Sequence, residues 1–312
     1  MLTDEPLAHE TRQMPKVVVN NIASTNEPVE LEYEIIGSSK DPAMLLIMGF
    51  GAQLTLWPDG FCEMLANRGY CVIRFDNRDC GLSTKLDGVE IDMAGVMMAA
   101  LGGQPDLLPP VPYTLSDMAA DAVGLLSALG FSGAHIVGAS MGGMIAQTVA
   151  IEYPQHTHSL TSIMSNTGES DVGMPLPEAG AVLLAEPPSD RQGYIDASVA
   201  SMIWQSKRYA DAHEVRAQAA RSYDRSFYPE GSARHLGAIA ASGSRAELLP
   251  HLTMPTLVVH GRDDTLLPPE GGVRTAELIP GANLFLVADM GHDFPTPLWP
   301  VIADAIVANA NR

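Results

Sequence analysis

The chain has 312 residues, of which 46% are hydrophobic, and carries three cysteines and a formal charge of −19. That length and apolar content suffice for one large α/β domain or two small ones around a sizeable core. The acidic balance argues against nucleic acid, whose phosphates need clustered Lys and Arg, and against anionic membrane surfaces; it fits solubility instead.

The longest apolar runs, such as "AMLLIMGF" and "TLVVH", are far too short to span a bilayer. Residues 1–15 are polar and acidic with no signal-like apolar stretch, which predicts a poorly ordered leader and a cytoplasmic protein. Cys62, Cys71 and Cys80 cannot all pair with one another and fit no zinc spacing. A reduced chain without a disulfide framework is expected, with Cys71 a small buried hydrophobe.

In chain order, "KVVVNNIAS" (16–24) and "VELEYEIIG" (29–37) flank the turn-like "TNEP" and predict a hairpin with one solvated face. The pattern then changes to apolar runs without alternation. "AMLLIMG" (43–49) leads to a helix at 58–68, and "YCVIRFD" (70–76) to a loop and then a helix at 115–129. "AHIVGAS" (134–140) leads to a helix from Met141 to Tyr153, stopped by Pro154, and "SLTSIMSNT" (159–167) is a further buried strand. After a polar, alanine-rich stretch the pattern resumes with "PTLVVHG" (255–261), a helix at 270–279, "NLFLVA" (283–288) and a closing helix at 298–310. Continuous apolar strands alternating with helices predict an α/β, doubly wound, mostly parallel sheet covered on both faces. The expected division is a core over 16–167 and 251–312, interrupted after the sixth strand by a helical lid over 168–250.

In such a sheet the ligand site lies beyond the carboxyl ends of the strands. There, "GASMG" sets Ser140 in a G-x-S-x-G turn between strand and helix. A serine hydroxyl needs a base to become a nucleophile, and this architecture orders the set serine, acid, histidine. "GRDDTLLP" offers Asp263 and Asp264 beyond one late strand, and "GHDFP" offers His292 beyond the next. The G-x-x-D spacing prefers Asp264, with Asp263 open; Asp289 is a weaker rival, too near His292 in sequence to reach behind its ring. Among the other histidines, His135 and His260 lie within strands and are expected in the core or beneath the site. His156, His158, His213 and His235 fall in helical or polar stretches and are expected to be solvated.

"DPAMLLIMGFGAQLTLWPDGFCEMLANRGYCVIRFDNRDCGLST", "HIVGASMGG", "PTLVVHGRDDTLLPP" and "MGHDFP" resemble the α/β-hydrolase superfamily. Within it, they resemble the aclacinomycin methylesterase group of serine esterases, from about Lys16 to Ala308. The resemblance implies Ser140 as nucleophile, Asp264 as acid and His292 as base. It also implies an oxyanion hole from the backbone amides of Met141 and Phe50. Met48 stands where many family members carry a histidine, which leaves the backbone role intact and removes that side chain's hydrogen bonds. Arg78 and Asp79, in the loop after "VIRFD", read as ligand-binding charges or, more simply, as a turn braced by a salt bridge. Trp57, Trp204, Phe227 and Tyr228 are candidates to line a substrate pocket.

The expected chemistry is serine-dependent hydrolysis of a small-molecule carboxylic ester through an acyl-enzyme, with no metal or organic cofactor. Serine at 140 disfavours the dehalogenase and epoxide hydrolase chemistry that resemblance associates with aspartate there. The same triad also serves lactonases, thioesterases and carbon–carbon bond hydrolases, and a ligand-binding receptor on this scaffold is a different class of answer. A homo-oligomer is compatible with the sequence.

Overall fold

The computed structural model describes residues 14–101 and 107–312. The expected leader, residues 1–15, lies outside the described residues except for Met14 and Pro15. Among the described residues no helix is long and apolar enough to cross a membrane.

Strands β1 (Lys16–Asn21) and β2 (Pro28–Ile36) form the antiparallel hairpin, and in β2 Val29 and Leu31 turn inward while Pro28 and Glu30 face solvent. The next strands are β3 (Ala43–Ile47), β4 (Cys71–Phe75), β5 (Ala134–Ala139), β6 (Thr157–Ile163), β7 (Thr256–Gly261) and β8 (Asn283–Val287). The sheet order is β1-β2-β4-β3-β5-β6-β7-β8, parallel from β4 onward, with β2 antiparallel to β4.

Every residue of β3, β4 and β7 is buried. Alternate side chains of β3 enter opposite cores, Ala43, Leu45 and Ile47 on one face, Met44 and Leu46 on the other. Both faces need apolar residues, so alternation disappears from the sequence. Helices α3 (Leu115–Ala128) and α4 (Met141–Glu152) cover the first face; α1 (Asp59–Ala66) and α10 (Trp299–Ala310) cover the second. Helix α9 (Glu270–Leu278) packs on β7 and β8.

Two elements differ from expectation. β6 stops at Ile163 because Met164 takes a left-handed φ of 40°, and polar residues 165–167 continue buried beyond it. Helix α2 (Met93–Leu101) occupies a stretch expected to be loop. Its sequence, MAGVMMAAL, has no polar face, so no helical period is visible in it.

Between β6 and β7 the chain forms α5 (Pro177–Leu183), α6 (Arg191–Ala197), a 3-10 segment at Ser198–Trp204, α7 (Ala212–Arg225) and α8 (Pro229–Ser242). α7 opens with Asp211 accepting the His213 N–H at 2.7 Å, and α8 with Pro229 in its first turn.

Candidate active site

Ser140 sits between β5 and α4 at φ 57° and ψ −124°, a strained conformation for a residue with a side chain. The glycines around it are set by contact. A Cβ on Gly138 would stand 2.0 Å from the Gly142 carbonyl, and one on Gly142 2.1 Å from the Ile47 carbonyl. Only hydrogen lets α4 return so close to β3 and β5. The Ser140 amide donates to Ile163 O at 2.9 Å, which holds the corner against β6.

His292 and Asp264 come from the loops after β8 and β7. His292 Nε2 lies 2.9 Å from Ser140 Oγ, and its Nδ1 lies 2.7 Å from Asp264 Oδ2. A carboxylate only accepts, so Nδ1 carries the proton and the Nε2 lone pair faces the serine hydroxyl. Asp264 is 3% exposed, and its other oxygen accepts the Leu266 and Leu267 amides, each at 2.9 Å. Burial pushes its carboxyl up, but the charge and hydrogen bonds of His292 and His260 outweigh this and hold it below the usual carboxylate value. His260 is fully buried beneath the acid, with Nε2 2.7 Å from Leu267 O and 3.4 Å from Asp264 Oδ2. Asp263 instead faces Lys207 at 3.6 Å, and Asp289 pairs with Arg208 at 3.0 Å.

The histidine loop is also tied to the insertion. The His292 amide donates to Trp204 O at 2.6 Å, and Asp293 accepts the Ser206 and Gly291 amides, both at 3.0 Å.

Opposite the histidine runs the loop after β3. A Cβ on Gly49 would lie 2.9 Å from Ser140 Cβ, so this backbone rests directly on Ser140. Among the described residues, neither the Phe50 nor the Met141 N–H donates a hydrogen bond, which leaves both free for an anionic oxygen. Met141 is the first residue of α4, whose amino end favours negative charge.

Arg78 and Asp79 brace their turn, as the simpler expectation had it, but each pairs with a distant element. Arg78 makes a two-toothed contact with Asp121 of α3 at 2.6 and 2.7 Å, and Asp79 receives Arg234 of α8 at 2.8 Å through both oxygens. His235, expected to be solvated, is fully buried against the same loop. Residues 231–238 of α8 press onto the core, which turns a polar-looking helix face inward. His156, His158 and His213 are not buried.

Of the aromatic candidates, Trp57 has no accessible surface and packs on Phe61 and Phe294, which makes it core rather than pocket wall. Phe227 packs with Tyr194 and Tyr223 inside the insertion, while the Tyr228 hydroxyl accepts from Arg234 at 2.6 Å. Trp204 is the one whose backbone touches the histidine loop. All three cysteines are buried free thiols, and burial raises Cys62 to about 12, so it stays protonated and inert. Among the described residues no cluster of His, Cys, Asp and Glu has the makings of a metal site.

The site brings together a hydroxyl, an imidazole, a buried carboxylate and two free amides. The sequence matches the family described as alpha/beta hydrolase fold over residues 42–295. It is 29% identical to a rhodomycin D methylesterase of Streptomyces peucetius, across 91% of this chain and 96% of that protein. It is 24% identical to a 2-hydroxy-6-oxononadienedioate/2-hydroxy-6-oxononatrienedioate hydrolase of Burkholderia vietnamiensis, across 87% and 88%. Among solved structures, an enol-lactonase of Burkholderia xenovorans superposes with a TM-score of 0.69 at 21% identity, covering 91% of this chain and 97% of that one. A thermophilic esterase of Thermogutta terrifontis gives 0.67 at 25%, covering 94% and 97%. The chain belongs to the α/β-hydrolase family and is a hydrolase.

Proposed function

We propose that the protein hydrolyses carboxylic esters through an acyl-serine intermediate. Ser140 Oγ attacks the carbonyl carbon while His292 Nε2 takes its proton, and Asp264 holds the resulting imidazolium. The oxyanion accepts the Phe50 and Met141 amides. His292 then gives its proton to the leaving alkoxide, which departs as the alcohol. Water attacks the acyl-serine, again losing its proton to His292; the carboxylic acid leaves and Ser140 recovers its hydrogen.

The carrying observation is the unbroken chain Ser140 Oγ–His292 Nε2 at 2.9 Å and His292 Nδ1–Asp264 Oδ2 at 2.7 Å. The methylesterase relative, similar over nine-tenths of the chain, supports an ester over the other substrates that this triad serves.

Ser140→Ala tests the assignment on short p-nitrophenyl esters, with a bulky polyketide methyl ester and a lactone as comparison substrates. It is expected to lower kcat on the order of 10⁴-fold or more while the melting temperature holds. An alanine variant as fast as the parent, or a parent that turns over the lactone and no ester, sinks the reading.

A further inference from the structure

The two free amides of the site are held very differently. Met141 belongs to α4, with ten of its twelve residues buried, so its N–H direction is fixed by the helix. Phe50 stands between Gly49 and Gly51 in a loop, and glycines on both sides leave that peptide the greatest freedom to turn. On one side Gly49 is wedged against Ser140 and the Ala139 carbonyl. On the other, Gly51 takes a left-handed φ of 60°, and its N–H donates to His235 Nδ1 at 3.1 Å.

His235 lies 184 residues further along, on α8. Its Nε2 is 2.8 Å from the Arg78 carbonyl. A carbonyl cannot donate, so Nε2 carries the hydrogen and Nδ1 presents a lone pair to Gly51. Both ring nitrogens are thereby satisfied by a neutral imidazole. Burial acts in the same direction by disfavouring the charged ring. Neighbouring side chains hold the ring in place: Phe50 and Tyr113 stand edge-on, both with centroids at 6.4 Å, and Arg234, next on the helix, grips Asp79. One turn earlier, Ser232 closes on Gly51, where a Cβ would meet its hydroxyl at 2.5 Å.

We infer that His235 is a positioning residue for the oxyanion hole: from the insertion, it anchors the Gly51 N–H and so, through the Phe50 backbone, holds the adjoining Gly49–Phe50 peptide with the Phe50 amide aimed at the developing oxyanion. The inference rests on the ester-hydrolysis reading above and deepens it, because it makes α8 part of the catalytic apparatus instead of a removable cover.

The test uses a pair of substitutions that divide the two ring nitrogens. In His235→Asn the side-chain carbonyl takes the place of Nδ1 and can still accept from Gly51. In His235→Gln the amide nitrogen takes the place of Nε2, which keeps the Arg78 contact and loses the one to Gly51. With p-nitrophenyl butyrate, His235→Gln is expected to lose roughly ten- to a hundredfold in kcat, less than outright removal of an oxyanion donor, with KM within about twofold of the parent. His235→Asn is expected to recover most of that loss. Amide hydrogen exchange of residues 49–53 is expected to quicken in the Gln variant and not in the Asn variant. In the parent, nitrogen NMR should show a neutral ring protonated at Nε2.

Equal kcat in the two variants, a kcat loss that tracks a rise in KM, or an imidazolium or Nδ1–H ring in the parent overturns the inference. If the parent cleaves no ester, the functional reading falls alone, since the exchange and NMR results still decide whether His235 pins the loop.

Discussion

The parallel core and the insertion between β6 and β7 are held together by different forces. β3, β4 and β7 are buried end to end, and apart from Arg74 in β4 and Thr256 and His260 in β7 their side chains are apolar. In the insertion, α5, α6 and α7 each bury one residue: Ala179, Ile195 and Ala219. Its hold on the core comes instead from the ties of Trp204 and Ser206 to the histidine loop, from α8, where Gly231, Arg234, His235, Gly237 and Ala238 are buried, and from charges at the end of α7. There Arg225 meets Asp76 at 2.8 Å and Glu32 at 3.3 Å. Apolar burial needs no particular partner, whereas a buried ion pair is stable only with its partner in place. The core can therefore tolerate conservative exchange of its aliphatic residues, while the insertion depends on a few specific contacts.

The largest expected effect lies on the core side. Asp264→Asn leaves a group of the same shape but frees the His292 tautomer, and kcat should fall on the order of 10⁴-fold with the fold intact, read by ester kinetics beside circular dichroism. A variant that keeps a tenth or more of parental kcat would mean that the strand-end carboxylate is not the orienting group.

Next comes the grip of α8. Arg234 is 3% exposed, and Arg234→Met leaves Asp79 without its cation, which should cost about 3 kcal/mol and several degrees of melting temperature. Pairing it with Asp79→Asn removes both charges while keeping a residue that tolerates the left-handed φ of 61° and can still accept the Leu86 amide, and should restore much of the loss. Equal stability of single and double variants would erase the contrast between charge-held and apolar-held regions.

A smaller effect concerns the core's other end. Burial, and secondarily the neighbouring His158, lowers His135 to about 4. The unfolded chain then binds a proton between the ordinary histidine value of about 6.5 and 4 that the folded chain does not, so stability falls as pH drops through that window and levels off below it. His135→Gln should flatten the melting-temperature slope there; a slope identical to the parent's would assign the pH dependence to other groups.

The smallest expected effect is on the exposed face of the insertion, where Arg191 and Asp224 pair at 2.6 Å with half of each side chain in solvent. Arg191→Ala should leave the melting temperature unmoved within error, since such pairs are screened. A measurable drop would show that surface charge also secures the insertion.

The sequence carried the central strands because burial on both faces writes itself as unbroken apolar runs. It carried Ser140, Asp264 and His292 as candidates because each stands just past an apolar run, although the last of these runs, β8, is an edge strand with only Val287 buried. It did not carry α2, whose residues are apolar on every side, nor the burial of His235, whose partners Gly51 and Arg78 lie 184 and 157 residues away. It preferred Asp264 to Asp263 only by the G-x-x-D spacing: adjacent acids differ in which way the backbone turns them, and in the structure the Leu266 and Leu267 amides hold the Asp264 carboxylate. Local pattern, then, determined where strands end and which reactive groups wait there. Tertiary structure alone decided which polar residues of the insertion face inward, because a hydrogen bond between distant residues depends on direction and distance and leaves no periodic trace along the chain.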